Sequence, residues 1–131
     1  MKIESASITV VTAQLTEARR FYQQHFAARP LFDCGWYVVL RLSNGQELCL
    51  MEPQEGMVPF SGGIFLNIRV EDADALHKNL TAAGLAVAIP LDDHPWGDRG
   101  FGVVDPAGVM VYCHHAIAPA AEFEPFFLPQ D

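Results

Sequence analysis

The sequence has few cysteines and no long apolar run. Its 131 residues include three cysteines, Cys34, Cys49 and Cys113, and none of them forms a CxxC pair. An odd number of widely spaced cysteines argues against a disulfide scaffold and predicts reduced thiols in a cytoplasmic protein. No apolar stretch approaches the roughly 20 residues that cross a bilayer, so we expect no membrane span. The first residues lack the cationic start and apolar core of a signal peptide, which fits the same location.

Positive charge is also scarce, since 8 lysines and arginines face 16 aspartates and glutamates and the formal net charge is -8. This excess of negative charge disfavours nucleic acids and anionic membrane surfaces as partners. It suits a cationic ligand, although acidity alone also keeps a protein soluble. Half of the residues are hydrophobic, which at this length predicts one compact domain with a substantial core.

The chain repeats one pattern twice. Each half reads as a strand, a helix and then a hairpin, with turns at Asn44-Gly45 and at Ala107-Gly108. Two such units can curve around one shared cleft, whose inward residues would decide the chemistry. An apolar tail follows, which we expect to pack on the surface or on a partner subunit. The predicted parts of the single domain 1–131 are a module at about 4–53, a module at about 63–115 and a tail at 116–131.

Each module carries signals for one helix. In the first, the hydroxyl of Thr16 can cap a helix whose apolar residues recur at helical spacing from Ala18 onward. In the second, Asp72 or Asp74 lies where a carboxylate suits the start of a helix, and Gly84 ends it. The sequence therefore predicts an α+β protein in which each helix follows a short strand and precedes a hairpin.

Three segments, in this order and at these spacings, are similar to the vicinal oxygen chelate superfamily. That family includes glyoxalase I, extradiol dioxygenases, fosfomycin-modifying enzymes and bleomycin-resistance proteins. The resemblance extends from about Ile8 to His114, and it implies two βαβββ modules that form a U-shaped, partly open barrel within a homodimer. The segments are Leu15-x-x-Ala18-x-x-Phe21-Tyr22, Val70-Glu71-Asp72-x-Asp74-Ala75-Leu76, and Trp96-Gly97 through Asp105-Pro106-x-Gly108.

The resemblance also implies where a metal would be bound. Family enzymes generally hold a divalent ion with His, Gln or Glu from inward positions of four strands, which leaves open sites for a bidentate substrate. In this sequence those positions are carried over to Ser7, Cys49, Phe65 and Tyr112. The set contains no histidine and no carboxylate, and a bulky Phe65 would obstruct an ion. We therefore expect no metal, no other cofactor and no catalytic residue at this site.

A shift in the strand register changes this set only in part. A one-residue slip turns the neighbouring side chains to the opposite face, so it rescues no site. A two-residue slip would bring Glu47 and His114 to the cleft, where they could form half of a metal site. The first strands of both modules would still offer no His or Glu. An enzyme of the glyoxalase, dioxygenase or thiol-transferase type therefore stays the alternative.

Without a metal, the predicted cleft is aromatic, and aromatic faces stack on planar ligands and attract cations. Trp96 stands out because it lies in a polar loop, where either a ligand or a dimer contact would explain it. Arg99 could equally form a structural ion pair, Phe101 an ordinary core residue and Cys49 an inert buried thiol. The predicted ligand-binding residues are Trp36, Cys49, Phe60, Phe65, Trp96, Arg99, Phe101 and Tyr112.

The sequence thus favours a metal-free binding protein similar to bleomycin-resistance proteins, which would sequester a planar or cationic small molecule as a cytoplasmic homodimer. Two alternatives stay open. One is a metal-dependent enzyme of the same superfamily. The other is a non-binding dimer whose cleft is filled by its own side chains, such as Phe65 and Tyr112.

Overall fold

The chain folds as two units that share one order of elements. The structure, a computed structural model, describes residues 1–130. The first unit comprises residues 1–63 with the turn 105–108, and the second comprises residues 64–104 with 109–130. Each unit contains a strand, a helix and three further strands. The α+β class and the two βαβββ modules predicted from the sequence are confirmed.

The first unit is a four-stranded mixed sheet with one helix. The strands lie in the order β1-β4-β3-β2, and β1 is parallel to β4 while the other pairs are antiparallel. Its core lies between α1 and the central strands β3 and β4, whose Val38, Leu40 and Leu50 are almost fully buried. The elements are β1 (Thr9–Val11), α1 (Leu15–Phe26), β2 (Arg29–Asp33), β3 (Tyr37–Arg41) and β4 (Glu47–Met51).

The second unit repeats this arrangement. Its strands lie in the order β5-β8-β7-β6, with β5 parallel to β8 and the remaining pairs antiparallel. A short 3₁₀ segment, Ala121–Phe126, follows the last strand. The elements are β5 (Phe65–Arg69), α2 (Ala73–Ala82), β6 (Ile89–His94), β7 (Asp98–Val104) and β8 (Met110–Ala116).

Helix α1 begins at Leu15, and its N-cap residue Gln14 makes no side-chain capping bond. The expectation that Thr16 caps this helix is therefore wrong. The hydroxyl of Thr12 accepts the backbone N–H of Gln14 at 2.9 Å, so the chain has turned before Thr16, which lies inside the first helical turn. On its buried face the helix carries the fully buried Tyr22, whose hydroxyl lies 2.5 Å from Oδ2 of Asp105.

Helix α2 is anchored at its first turn by three side chains. Of the two candidates at this helix start, Asp72 is the N-cap, and its Oδ1 accepts the backbone N–H of Ala75 at 3.1 Å. From β8, Nδ1 of His115 accepts the N–H of the buried Ala73 at 2.9 Å. From β7, Arg99 pairs with Asp74. Because the first N–H groups of a helix have no partner within the helix, the contacts of Asp72 and His115 satisfy donors that would otherwise be unpaired.

Within residues 1–130, neither helix is both long and apolar enough to cross a membrane.

Replacing His115 with Ala should destabilise the protein by about 1–3 kcal/mol, because the buried N–H of Ala73 loses its acceptor. Urea denaturation of the wild type and the variant measures this difference. The control is His115→Asn, whose side-chain oxygen can take the place of Nδ1 and should retain most of the stability. Equal destabilisation by both substitutions would show that the hydrogen bond is not the cause.

Candidate functional site

A pocket of about 340 Å³ lies against one face of the sheet of the second unit. Side chains on a strand alternate between the two faces of a sheet. On β7 the pocket face carries Asp98, Gly100 and Gly102, whereas Arg99 and Phe101 face α2. The pocket is lined by Phe65, Asn67, Ile89, His94, Trp96, Asp98 and Tyr112.

Two glycines of β7 make room for the side chains that form the floor of this pocket. A Cβ at Gly100 would lie 2.7 Å from the hydroxyl of Tyr112 and 2.7 Å from the carbonyl oxygen of Cys113. A Cβ at Gly102 would lie 2.8 Å from the sulfur of Met110. The backbone contact at Gly100 requires glycine there, whereas at Gly102 the flexible side chain of Met110 would have to move. Tyr112 thereby reaches Asp98 at the start of the strand.

The carboxylate of Asp98 accepts hydrogen bonds from three side chains. Its Oδ1 accepts the hydroxyl of Tyr112 at 2.6 Å and lies 2.8 Å from Nδ1 of His94. Its Oδ2 accepts the indole N–H of Trp96 at 2.8 Å. Because an ionised carboxylate only accepts, the nitrogen of His94 in this contact must carry the hydrogen. Asp98 thus connects β6, β7, β8 and the turn that carries Trp96.

These contacts set the protonation states of the pair at the pocket floor. Burial acts to raise the pKa of the Asp98 carboxyl, but the hydrogen bonds from Tyr112, Trp96 and His94 outweigh it and hold this pKa below its usual value. Burial and the adjacent Asp98 raise the pKa of the Tyr112 phenol. Near neutral pH, Asp98 is therefore charged and Tyr112 is a neutral hydrogen-bond donor.

Two aromatic rings at this pocket are open to solvent. The indole of Trp96 stacks on the imidazole of His94, with ring centroids 4.7 Å apart and planes 5° from parallel, yet Trp96 stays 49% exposed. Phe65, at the start of β5, is 56% exposed. An exposed aromatic ring that is fixed on one side by stacking and by a hydrogen bond offers a rigid surface to a planar ligand.

The C-terminal tail holds the turn that carries Trp96. Ile117 donates its backbone N–H to Gly97 at 3.0 Å, and Ala120 donates to Pro95 at 2.8 Å. Gly97 has a φ of 110°, a conformation that suits glycine. A Cβ there would also lie 3.3 Å from the carbonyl oxygen of Ile117. The tail is therefore part of the support of the pocket. Asp131 lies outside the described residues.

The structure places Arg99 and Phe101 on the face opposite the pocket. Arg99 forms a bidentate pair with Asp74, at 2.9 and 3.0 Å, and bonds to Asp93 at 3.0 Å. These carboxylates raise the pKa of its guanidinium. Phe101 has no exposed surface, and its ring lies edge-on to that of His77 in α2, with centroids 5.0 Å apart. Neither side chain lines the pocket, because both alternate with the pocket-facing residues of β7.

Three other predicted binding residues belong to the first unit. Trp36 is 46% exposed just before β3, Cys49 is buried in β4, and Phe60 packs near Gly108. None of these three lines the 340 Å³ pocket, which draws its residues from the second unit alone. Of the eight predicted binding residues, the pocket brings together Phe65, Trp96 and Tyr112.

The observed strand pairing changes which residues lie side by side at the positions where family enzymes bind a metal. Cys49 pairs with Thr9 rather than with Ser7, and Tyr112 pairs with Asn67 rather than with Phe65. The hydroxyl of Thr9 lies 2.9 Å from that of Tyr37. Neither set supplies an imidazole or a carboxylate, which are the ligands that hold divalent ions in such sites. These residues therefore do not fit a metal of the family type.

Glu47 and His114, which a two-residue shift of the strand register would bring to the cleft, have other contacts. Glu47 lies 3.6 Å from Arg41 in an exposed ion pair. His114 stacks against Tyr112, with centroids 5.5 Å apart.

A cluster of Asp72, Asp74 and His115 has ligand atoms that all lie within 4.8 Å of one another. Each of these side chains already has a structural partner at the start of α2, since Asp72 caps the helix, Asp74 pairs with Arg99 and His115 accepts from Ala73. These contacts explain why the three side chains lie together, since each of them holds the start of α2 in place.

The sequence matches the Glyoxalase/Bleomycin resistance protein/Dioxygenase superfamily over residues 5–112. The chain belongs to this superfamily, as the sequence resemblance suggests. No curated protein matches the sequence significantly.

Several solved structures share the fold. TnmS3, an antibiotic binding protein from Streptomyces sp. CB03234, is 24% identical, with a TM-score of 0.74 over 88% of this chain and 98% of that one. TioX from Micromonospora sp. ML1 is 21% identical, with a TM-score of 0.71 over 88% and 100%. A lactoylglutathione lyase from Agrobacterium tumefaciens is 21% identical, with a TM-score of 0.70 over 87% and 96%. The same fold thus occurs in a binding protein and in a protein named as an enzyme.

Replacing Ala120 with Pro should loosen the Trp96 turn. Ala120 has a φ of -64°, which proline adopts without strain, so the substitution removes only the N–H that bonds to Pro95. We expect a loss of about 0.5–1.5 kcal/mol in stability. In a Trp36→Phe background, acrylamide should also quench the fluorescence of Trp96 more strongly.

The matched control is Ala121→Pro at the next position. Ala121 begins the 3₁₀ segment, where proline is favourable, and Ala120 has the extended ψ of 150° that a residue before proline prefers. This variant restricts the unfolded chain equally but keeps the bond from Ala120 to Pro95. If acrylamide quenches Trp96 in both variants to the same extent as in the wild type, the tail does not hold the turn.

Proposed function

We propose that this protein is a metal-free binding protein that sequesters a planar aromatic or cationic small molecule without changing it chemically. The observation that carries the proposal is the rigid, half-exposed indole of Trp96 beside the exposed Phe65, over a floor built on Asp98. A protein that protects by sequestration needs only affinity for its ligand, since it lowers the free concentration.

The shape and chemistry of the pocket support this proposal. A volume of about 340 Å³ is at the lower end of the range for small-molecule sites. Its walls include the rings of Phe65 and Trp96 and the aliphatic side chain of Ile89. Each good aromatic or cation–π contact contributes about 0.5–2 kcal/mol. The charge of Asp98 and the net charge of -8 add attraction for a cation.

One structural relative and the residues at the metal positions support this proposal. TnmS3 is described as an antibiotic binding protein, and a similar role for this chain agrees with its exposed aromatic rings. The lyase relative keeps an enzyme as the alternative. Thr9, Cys49, Asn67 and Tyr112 do not supply the donors that a metal-dependent enzyme of this superfamily would need.

We further propose that the protein works as a homodimer in the cytoplasm. All five side chains of the edge strand β2 are exposed, and exposed edges are normally covered. The apolar residues Phe126, Phe127 and Leu128 are 73%, 61% and 76% exposed. A twofold interface could cover such surfaces in both chains. The three cysteines are free thiols, which fits a reducing compartment.

Replacing Trp96 with Ala should weaken ligand binding roughly five- to thirty-fold, because about 1–2 kcal/mol of stacking is lost. Titration of a panel of planar intercalating drugs and bleomycin-type glycopeptides, followed by calorimetry, measures this effect. Trp36→Ala is the matched comparison, since Trp36 is exposed to a similar extent, 46% against 49%, but does not line this pocket.

Equal affinity of the wild type and Trp96→Ala would remove Trp96 from the binding site. No binding by any compound of the panel would favour a cleft filled by its own side chains.

The same preparations, purified without chelator, should contain less than one equivalent of transition metal per chain by elemental analysis. A full equivalent of Zn, Ni, Mn or Fe would instead support the enzyme alternative.

Light scattering at micromolar concentration should give twice the chain mass of 14.4 kDa. If the tail forms part of the dimer contact, Phe127→Asp should shift the mass toward that of the monomer. A monomeric wild type would contradict the proposed dimer and would leave the pocket proposal unaffected.

A further inference from the structure

We infer that the pocket recognises a hydrogen-bond donor on its ligand through Nε2 of His94. The ligand class is then a planar aromatic compound with an O–H or N–H at its edge, neutral or cationic rather than anionic. This inference rests on the proposed binding function and makes it more specific.

Most polar atoms around the pocket already have partners. Both oxygens of Asp98 are engaged by Tyr112, His94 and Trp96, and these bonds use the hydroxyl of Tyr112 and the indole N–H of Trp96. A ligand could accept a hydrogen bond from Tyr112 or Trp96 only by displacing contacts that hold the pocket together, whereas Oδ2 of Asp98 accepts one bond and keeps a lone pair. Such displacement costs about as much as the new bond would provide.

His94 carries a ring nitrogen that no partner engages. Nδ1 lies 2.8 Å from Oδ1 of Asp98 and 2.9 Å from the hydroxyl of Tyr112. Since Asp98 can only accept, Nδ1 carries the hydrogen, and in the neutral ring Nε2 then has a free lone pair. Within residues 1–130, no hydrogen bond involves Nε2. The neutral ring thus offers one wholly unengaged acceptor, held in a fixed tautomer by Asp98.

Asn67 supplies the second unengaged polar group. It lies on β5 opposite Tyr112 and lines the pocket, and its amide makes no hydrogen bond to any residue in the range 1–130. Because an amide can both accept and donate a hydrogen bond, Asn67 can bond to either kind of group on a ligand whose donor is bound by Nε2 of His94. The remaining lining is aromatic or aliphatic, so the pocket offers few polar contacts to a planar ligand.

Charge disfavours the anionic members of this class. Asp98 is ionised at the floor of the pocket, and no lysine or arginine is among the lining residues within the described part of the chain. Arg99 faces α2 and is paired with Asp74 and Asp93. Arg69 lies on the same face of β5 as Phe65 and Asn67, but it is not a lining residue. A carboxylate or sulfonate beside Asp98 would therefore meet a like charge.

Two probes of nearly the same shape test the inference. 2-Naphthol can donate a hydrogen bond, whereas 2-methoxynaphthalene cannot. The measured quantity is the ratio of their dissociation constants in the wild type and in His94 variants. The solvation of each free probe is the same in every titration, so a change in the ratio between proteins reports the protein contact.

The amide nitrogen of His94→Asn can replace Nδ1–H toward Asp98, but this variant has no atom at the place of Nε2. We expect it to reduce the preference for 2-naphthol by roughly three- to ten-fold, which corresponds to one hydrogen bond. In His94→Gln the side-chain amide reaches the position of Nε2, so this variant should restore much of the preference. Both variants lose the ring that stacks on Trp96, so a general loss of affinity is common to them.

An unchanged ratio in His94→Asn would overturn the inference. In that case, binding of the probes would still support the proposed function. If the wild type binds neither probe nor any planar compound, the proposed function fails and this inference fails with it.

Discussion

The pocket depends on the carboxylate of Asp98, because three donors from three parts of the second unit converge on it. Without this acceptor each donor would lose a hydrogen bond that orients it. The indole of Trp96 would keep only its stacking on His94, and the imidazole would lose the partner that fixes its tautomer. A buried charge is costly unless it is hydrogen-bonded, and here the bonds that stabilise the charge also orient the rings. The same group therefore accounts for the rigidity of the pocket and for its electrostatic character.

Because side chains alternate along β7, one face of this strand packs on α2 and the other face forms part of the pocket. On one face, Arg99 and Phe101 hold α2 against the sheet. On the other face, Asp98 and Gly100 hold and accommodate Tyr112. A strand that is anchored by a helix on one side provides a stable base for a site on the other side. The pocket also draws side chains from β5, β6 and β8, and the tail segment supports the Trp96 turn.

Much of the fold could be predicted from the sequence, because its signals are local or repeated. The two βαβββ modules follow from the repeated pattern, and Asp72 is identified as a cap because a carboxylate before an apolar helical run has a clear physical role. The Thr16 cap was wrong because Thr12, four residues earlier, turns the chain by a side-chain bond that periodicity does not reveal. The absence of metal donors could also be read from the sequence, and the observed register changes the residues concerned but not this conclusion.

The site was predicted only in part, because its residues come from four separate elements. Phe65, Trp96 and Tyr112 were identified from their aromatic character, whereas Asn67 and Ile89 carry no distinguishing signal in the sequence. His94 and Asp98 are paired across the hairpin turn that carries Trp96, so their proximity depends on a turn that the sequence pattern does not mark.

The glycine pair of β7 has a consequence for how this pocket can change. At Gly100, a side chain would collide with a backbone oxygen, so neither evolution nor engineering can refill the floor at that position. The half-exposed Phe65 and Trp96 have no such restriction. Libraries that aim to retarget this scaffold to other compounds should therefore diversify the rim and leave the floor unchanged.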